Sequence, residues 1–166
     1  MTEQQFGQSP DKIPLPQNMD RVFVYYRRVN FVETDAMGVV HHANYLNFFE
    51  EARVAWLRQR KLMSEHYPST SMCFAVVQSQ IEHRRSVRFD EELKIALVAR
   101  REKLKVCIRY AIYKASYPGQ MVAQGETLLV PVDNKLKPVR LSKKIINKLE
   151  SEPWVELWPE ICNLNF

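Results

Sequence analysis

Residues 33–45, with the sequence ETDAMGVVHHANY, bring a carboxylate, a glycine and two histidines into one short stretch. In a partly dry pocket, the carboxylate of Asp35 could act as a general base on water or attack a carbonyl carbon directly. The residues alone leave both routes open. Gly38 would let the backbone approach a ligand closely, because it carries no Cβ. The imidazole of His42 could polarise a carbonyl or orient water, since it titrates near neutral pH. This combination favours attack on a carbonyl whose oxygen needs stabilising.

A long amphipathic helix is predicted directly after this stretch, from about Ala43 to Met63. Its apolar residues recur at helical spacing, namely Tyr45, Phe48, Phe49, Ala52 and Trp56. The unpaired N–H groups of a helix's first turn, together with the positive end of its dipole, favour negative charge. Asp35 lies a short way upstream, so its carboxylate could face a small electropositive cradle across a gap.

Five strands and a second, short helix are also predicted. The strands are placed at residues 22–32, at 74–83 with a continuation through Arg84 and Arg85 towards Val87, and at 93–99, 106–112 and 121–132. The short helix spans residues 141–149 and would be capped by Ser142. One long helix followed by a meander of strands implies an α+β fold in which an antiparallel sheet curls around that helix.

The chain is predicted to form one domain, residues 21–150, between two terminal segments. Residues 1–20 are polar and contain three prolines, which is typical of a flexible arm. A turn is predicted at residues 67–71. Residues 151–166 form a C-terminal extension whose tryptophans and prolines follow no clear period, so no structure is predicted for it.

The composition is that of an ordinary soluble protein, with 46% hydrophobic and 26% charged residues among 166. No apolar run approaches the ~20 residues needed to cross a bilayer, so no membrane span is expected. The N-terminus lacks the basic and apolar segments of a secretory signal. Three widely spaced cysteines, Cys73, Cys107 and Cys162, indicate reduced thiols and a cytoplasmic location rather than a disulfide framework.

The motif Asp35-x-x-Gly38-x-Val40-x-His42-x-Asn44-Tyr45 resembles the signature of hotdog-fold thioesterases of the 4-hydroxybenzoyl-CoA thioesterase family. It is most similar to the YbgC-type acyl-CoA thioesterase branch, and the likeness extends more loosely from about residue 21 to about residue 149. The resemblance implies a hotdog fold with the same order of elements. It also implies hydrolysis of an acyl-CoA thioester to free acid and coenzyme A, without a cofactor.

The resemblance further implies roles for particular residues. Asp35 aligns with the catalytic carboxylate of the family. His42 aligns with the position whose backbone N–H serves as an oxyanion donor, and in YbgC-type members a histidine side chain here also assists. His41 stands where related sequences often carry an aromatic residue, so it is a candidate for the pocket wall beside Gly38. Tyr45 is a candidate for contact with substrate.

Three arginines, Arg84, Arg85 and Arg88, form a basic turn similar to one in the family. They could bind the phosphates of coenzyme A, or they could only pair with the acidic residues 90–92. The segment 135–144 is a second phosphate-binding candidate.

The thiol carrier could be coenzyme A or acyl carrier protein. A solitary hotdog subunit would expose a sheet edge, and the family dimerises there, so a homodimer or homotetramer is expected.

Other functions fit the sequence less well. A metal site is disfavoured, because His41 and His42 are adjacent and would point apart, and no His-x-x-x-His or Cys-x-x-Cys occurs. Glu50 or Glu51 could pair with a histidine as in hotdog dehydratases, but the glycine-proline-rich loop of those enzymes is absent. Nucleotide-binding glycine loops and a serine-hydrolase elbow are also absent.

The alternative to an acyl-CoA thioesterase is a non-catalytic acyl- or nucleic-acid-binding module that uses the six basic residues between positions 135 and 148. Nucleic acid is not the expected partner.

Overall fold

The computed structural model describes residues 21–63, 73–117 and 119–158. In chain order the elements are β1 (Phe23–Arg28), a 3₁₀ turn (Phe31–Glu33), α1 (Asn44–Gln59), β2 (Cys73–His83), β3 (Glu92–Glu102), β4 (Lys105–Lys114), β5 (Met121–Val132) and α2 (Lys143–Glu150). The predicted arm at 1–20, the predicted turn at 67–71, Cys162 and the end of the C-terminal extension lie outside the described residues. None of the described helices is long and apolar enough to cross a membrane.

The five strands form one sheet in the order β1-β3-β4-β5-β2, and every neighbouring pair is antiparallel. The predicted architecture is confirmed, because α1 packs against the concave face of this sheet. The side chains of Tyr45, Phe48, Phe49, Ala52 and Trp56 are all buried, as their helical spacing predicts. Burial of apolar surface of this kind contributes about 25 cal/mol per Å². The sheet therefore holds the start of α1 at a fixed place.

The structure differs from the sequence prediction at three element ends. The helix stops at Gln59 instead of Met63, because Lys61 adopts a left-handed conformation with φ of 53° and the Leu62 N–H bonds back to the Leu57 carbonyl. The first strand ends at Arg28 rather than residue 32 and gives way to the 3₁₀ turn. The second strand ends at His83 rather than near residue 87.

The short second helix and its cap are as predicted. The Ser142 hydroxyl accepts a hydrogen bond from the Ile145 N–H at 3.4 Å. Ile145 and Leu149 are buried in the main core, so one face of α2 is committed to packing.

The C-terminal extension covers the outer face of the sheet, which the sequence did not predict. Val155 and Trp158 are buried there in a second apolar cluster with Ala96, Ala111 and Met121. Two arginines of the outer face, Arg100 and Arg109, stack on the ring of Trp154 at 3.9 and 5.0 Å. The sheet is therefore covered on both faces.

Candidate functional site

Asp35 lies in a tight turn that its own side chain and backbone hold together. Its backbone N–H donates to the Val39 carbonyl at 2.8 Å, and its own carbonyl accepts from the Gly38 N–H at 2.9 Å. Carboxylate oxygen Oδ1 accepts from the Met37 N–H at 2.8 Å. Gly38 has φ of 71°, a conformation that glycine adopts without the steric cost of a side chain. The turn therefore fixes the position of Asp35, and none of the described residues donates a hydrogen bond to its second carboxylate oxygen.

At the start of α1, one backbone N–H group has no acceptor within the part of the chain that the structure describes. The N–H of His41 donates to the Glu33 carbonyl at 2.9 Å, and the N–H of Ala43 donates to the His41 side chain at 3.3 Å. The N–H of Asn44 donates to the His41 carbonyl. Among the described residues, none accepts a hydrogen bond from the N–H of His42. A free N–H at a helix start can bind a negatively charged oxygen.

One cavity of about 360 Å³ brings together the turn, the helix start and the end of β2. It is lined by Asp35, Met37, Val39, Val40, His42, Tyr45, His83, Arg84, Arg85 and Ser86. Five of the residues predicted from the sequence, Asp35, His42, Tyr45, Arg84 and Arg85, therefore share one cavity. The other three candidates, Gly38, His41 and Arg88, lie beside it: a Cβ added to Gly38 would stand 3.8 Å from the guanidinium of Arg88, and the rings of His41 and His42 are 4.2 Å apart.

His83 belongs to this cavity and was not predicted. It is the last residue of β2, and its ring meets the ring of Tyr45 edge-on, with centroids 4.7 Å apart. Burial, and next the charge of His42, lower the pKa of His83 below its ordinary value. Burial likewise raises the pKa of Tyr45 to about 12, so its hydroxyl stays protonated. The cavity thus holds two imidazoles and a neutral phenol.

The arginines at the mouth of the cavity are only partly neutralised by acidic neighbours. Arg84 pairs with Glu82 at 3.2 Å. Arg85 donates to the neutral Met121 carbonyl at 2.7 Å, and no acidic side chain among the described residues forms an ion pair with it. The backbone N–H of Arg88 donates to the Glu91 carboxylate at 2.6 Å. Within the described residues no cluster of three metal-ligating side chains occurs.

The profile of the thioesterase-like superfamily matches residues 29–149. The chain belongs to this superfamily. Escherichia coli acyl-CoA thioester hydrolase YbgC is 31% identical over 121 residues, which is 72% of this chain and 89% of the relative. A 1,4-dihydroxy-2-naphthoyl-CoA hydrolase from Gloeothece citriformis is 32% identical over 108 residues, or 64% of this chain and 76% of the relative. The predicted resemblance to YbgC-type thioesterases is confirmed, and the protein is a thioesterase.

Solved structures share the fold. A crystal structure of a protein from Aquifex aeolicus is 29% identical with a TM-score of 0.69, and covers 76% of this chain and 98% of that protein. A 1,4-dihydroxy-2-naphthoyl-CoA thioesterase from Synechocystis has a TM-score of 0.68 at 24% identity, covering 78% of this chain and 98% of its own, a likeness of fold alone. The predicted hotdog fold is thereby confirmed. The superfamily profile ends before the segment that covers the outer sheet face.

Proposed function

We propose that this thioesterase hydrolyses acyl-CoA thioesters to the free acid and coenzyme A at the cavity that holds Asp35 and His42. One observation carries the proposal: Asp35 and His42 line the same cavity, and among the described residues none accepts a hydrogen bond from the His42 N–H. The thioester oxygen would accept from that N–H as it gains negative charge. Asp35 would take a proton from the attacking water, or attack the carbonyl carbon itself to form a mixed anhydride that water then hydrolyses to the free acid; in either route the thiolate of coenzyme A would leave.

The charges and names of relatives support coenzyme A as the carrier. Arg84 and Arg85 line the cavity, and guanidinium groups bind phosphate through two parallel hydrogen bonds. The Escherichia coli relative is called an acyl-CoA hydrolase, and the Gloeothece relative acts on an aromatic acyl-CoA. A screen of short, medium, long and aromatic acyl-CoAs, with acyl carrier protein thioesters alongside, would identify both the acyl group and the carrier.

The sharpest test of the site is Asp35→Asn, which keeps the shape of the side chain and removes its basicity. We expect kcat to fall by about 10²–10⁴-fold, the usual contribution of a positioned acid or base. Asp90→Asn is the matched control, because it makes the same substitution on an exposed turn. Asp90 has φ of 68°, a left-handed conformation that asparagine also adopts. Full thiol release by folded Asp35→Asn would refute the assignment.

A separate experiment distinguishes the two routes. In single turnovers of the wild-type enzyme in ¹⁸O-water, incorporation of the label into the Asp35 carboxylate would identify direct attack.

The edge of the sheet formed by β2 supports assembly into a homodimer. Residues 73–81 of β2 carry no charge, and Val76 and Val77 are 41% and 53% exposed. The other edge, β1, ends instead in two arginines. Uncharged edge strands pair readily with another strand, and a second copy of β2 offers a self-complementary one. Val77→Lys should shift the protein towards monomer in light scattering, whereas Leu104→Lys in the β3–β4 hairpin should not.

The basic segment 135–148 gives little support to a nucleic-acid-binding role. The Lys148 side chain donates to the Arg60 carbonyl, which lies at the end of α1. One face of α2 is packed into the core through Ile145 and Leu149. Membership of the thioesterase-like superfamily also favours the enzyme.

A further inference from the structure

A buried arginine links the first strand to both sides of the proposed site. Arg27 of β1 is 8% exposed, and its guanidinium lies 3.9 Å over the ring of Phe48 in α1. Nitrogen Nη1 donates to Glu51 of α1 at 2.7 Å, and Nη2 donates to Glu33 at 2.5 and 2.6 Å. One side chain therefore joins β1, the helix and the segment that leads into the Asp35 turn.

Glu33 is the junction through which this link reaches the site. Its carboxylate, besides accepting from Arg27, accepts from the Asn30 N–H at 2.8 Å. Its backbone carbonyl accepts from the His41 N–H at 2.9 Å and from the Asn44 side chain at 2.8 Å. Asp35 comes two residues after Glu33 in the chain. The two hydrogen bonds to the Glu33 carbonyl attach the start of α1 to the same residue. The place of Glu33 thus sets the spacing between the carboxylate and the helix start.

We propose that Arg27 is a positioning residue, whose ion pair with Glu33 fixes the distance between Asp35 and the His42 N–H. This inference rests on the function proposed above. Arg27 does not line the cavity, so it would affect the reaction only through its contact with Glu33.

The energetics of the network favour positioning over stabilisation. The Nε–H of Arg27 is buried, and among the described residues it finds no acceptor. A buried donor without a partner carries a desolvation cost, and well-packed apolar residues often replace buried ion pairs without loss of stability. An arginine is nevertheless suited to this place, because its planar fork can engage two carboxylates at once in a fixed geometry.

The experiment compares kcat and KM for release of coenzyme A by wild type, Arg27→Met, Glu33→Gln and the double variant. We expect each single change to lower kcat by about ten- to a hundredfold while KM stays within about threefold, because a small misplacement of reacting groups acts on the chemical step. The double variant should be no slower than the slower single one, since both remove the same link. Arg27→Lys should restore part of kcat, because an ammonium can still reach Glu33.

Arg53→Met is the matched control. Arg53 is 6% exposed and pairs with Glu50 at 2.7 Å within α1, so the change also removes a buried, paired arginine. It should leave kcat within about twofold of wild type, because this pair bonds no residue of the loop.

The failure of this inference and the failure of the proposed function give different results. Wild-type turnover by Asp35→Asn would refute the proposed function. A wild-type kcat in folded Arg27→Met, with Asp35→Asn inactive, would overturn only the positioning role. The same conclusion would follow if the fold-losses in kcat of the two single variants multiplied in the double variant. Should Arg27→Met not fold, Glu33→Gln carries the same test, since it removes the ion pair and keeps a polar side chain.

Discussion

Gly125 of β5 lies directly against the side chain of Phe49 in the central helix. It pairs with Tyr110 of β4 on one side and with Ile81 of β2 on the other. The ring of Phe49 stacks on that of Tyr110, with centroids 4.2 Å apart and planes 11° from parallel. A Cβ added at Gly125 would lie 2.6 Å from the Phe49 ring and 2.5 Å from the backbone carbonyl of Gln80. Side-chain carbons do not approach other atoms so closely, so Gly125→Ala requires the helix or the edge strand to move.

The cost of this change can be worked from its two neighbours. The ring of Phe49 is held against Tyr110, and the Gln80 carbonyl belongs to a paired strand, so neither can move independently. Overpacking typically costs 1–3 kcal/mol, and two rigid neighbours place Gly125→Ala at about 3 kcal/mol. That is a large part of the 5–15 kcal/mol by which domains are stable, and it lowers Tm by roughly 6–12 °C.

Urea unfolding at one protein concentration, followed by tryptophan fluorescence, measures this loss. Phe49→Leu supplies the partner test, because a smaller side chain removes one of the two clashes. We expect the double variant Phe49→Leu/Gly125→Ala to lose less stability than the sum of the single losses. A Gly125→Ala protein within about 0.5 kcal/mol of wild type would refute the reasoning, and so would additivity in the double variant.

Four further changes test other parts of the structure. Ser142→Ala should cost about 1 kcal/mol in urea unfolding, since it removes the cap of α2, and an unchanged midpoint would contradict that cap. Trp158→Ala should cost about 3 kcal/mol, because it uncovers the outer sheet face, and a loss below about 1 kcal/mol would count against that packing. Burial raises the pKa of Tyr45 to about 12 from 10.0, so its contribution to stability, roughly 2–3 kcal/mol, should be lost as pH rises between these values; Tyr45→Phe should reduce the total fall, to which the raised pKa of Cys107 also contributes. The lowered pKa of His83 predicts that stability falls as pH drops below about 6.5, and that His83→Gln weakens this dependence.

The central helix could be predicted because its burial follows a local period. Phe48, Ala52 and Trp56 lie on one face at four-residue intervals, and that face is the one the sheet covers. Its end could not be predicted, because the chain reverses at Lys61 without a glycine. Left-handed conformation at a lysine carries no local sequence signal, since tertiary packing imposes it.

The candidate site was predictable only where its residues are close in sequence. Asp35 and His42 share one short loop, so their chemistry can be read from a motif. His83 lies on another strand, and it reaches the cavity because β2 pairs with β5 in a register that places His83 opposite Ala123. A histidine at the end of a strand gives no indication, in sequence, of which loop it will lie beside. The Arg27–Glu33 pair escaped prediction for the same reason, because adjacent basic residues at positions 27 and 28 give no indication of which one is buried.

The C-terminal extension follows from a requirement of the architecture rather than from its own sequence. A single sheet has two faces, and α1 covers only the concave one. The residues of the outer face, including Ala96, Ala111 and Met121, are apolar and are buried by Val155 and Trp158. An aperiodic segment of this kind forms no helix or strand, so periodicity cannot reveal it. The informative pattern lies instead in the central strands β3 and β4, which are apolar on both faces and so require a cover on each side.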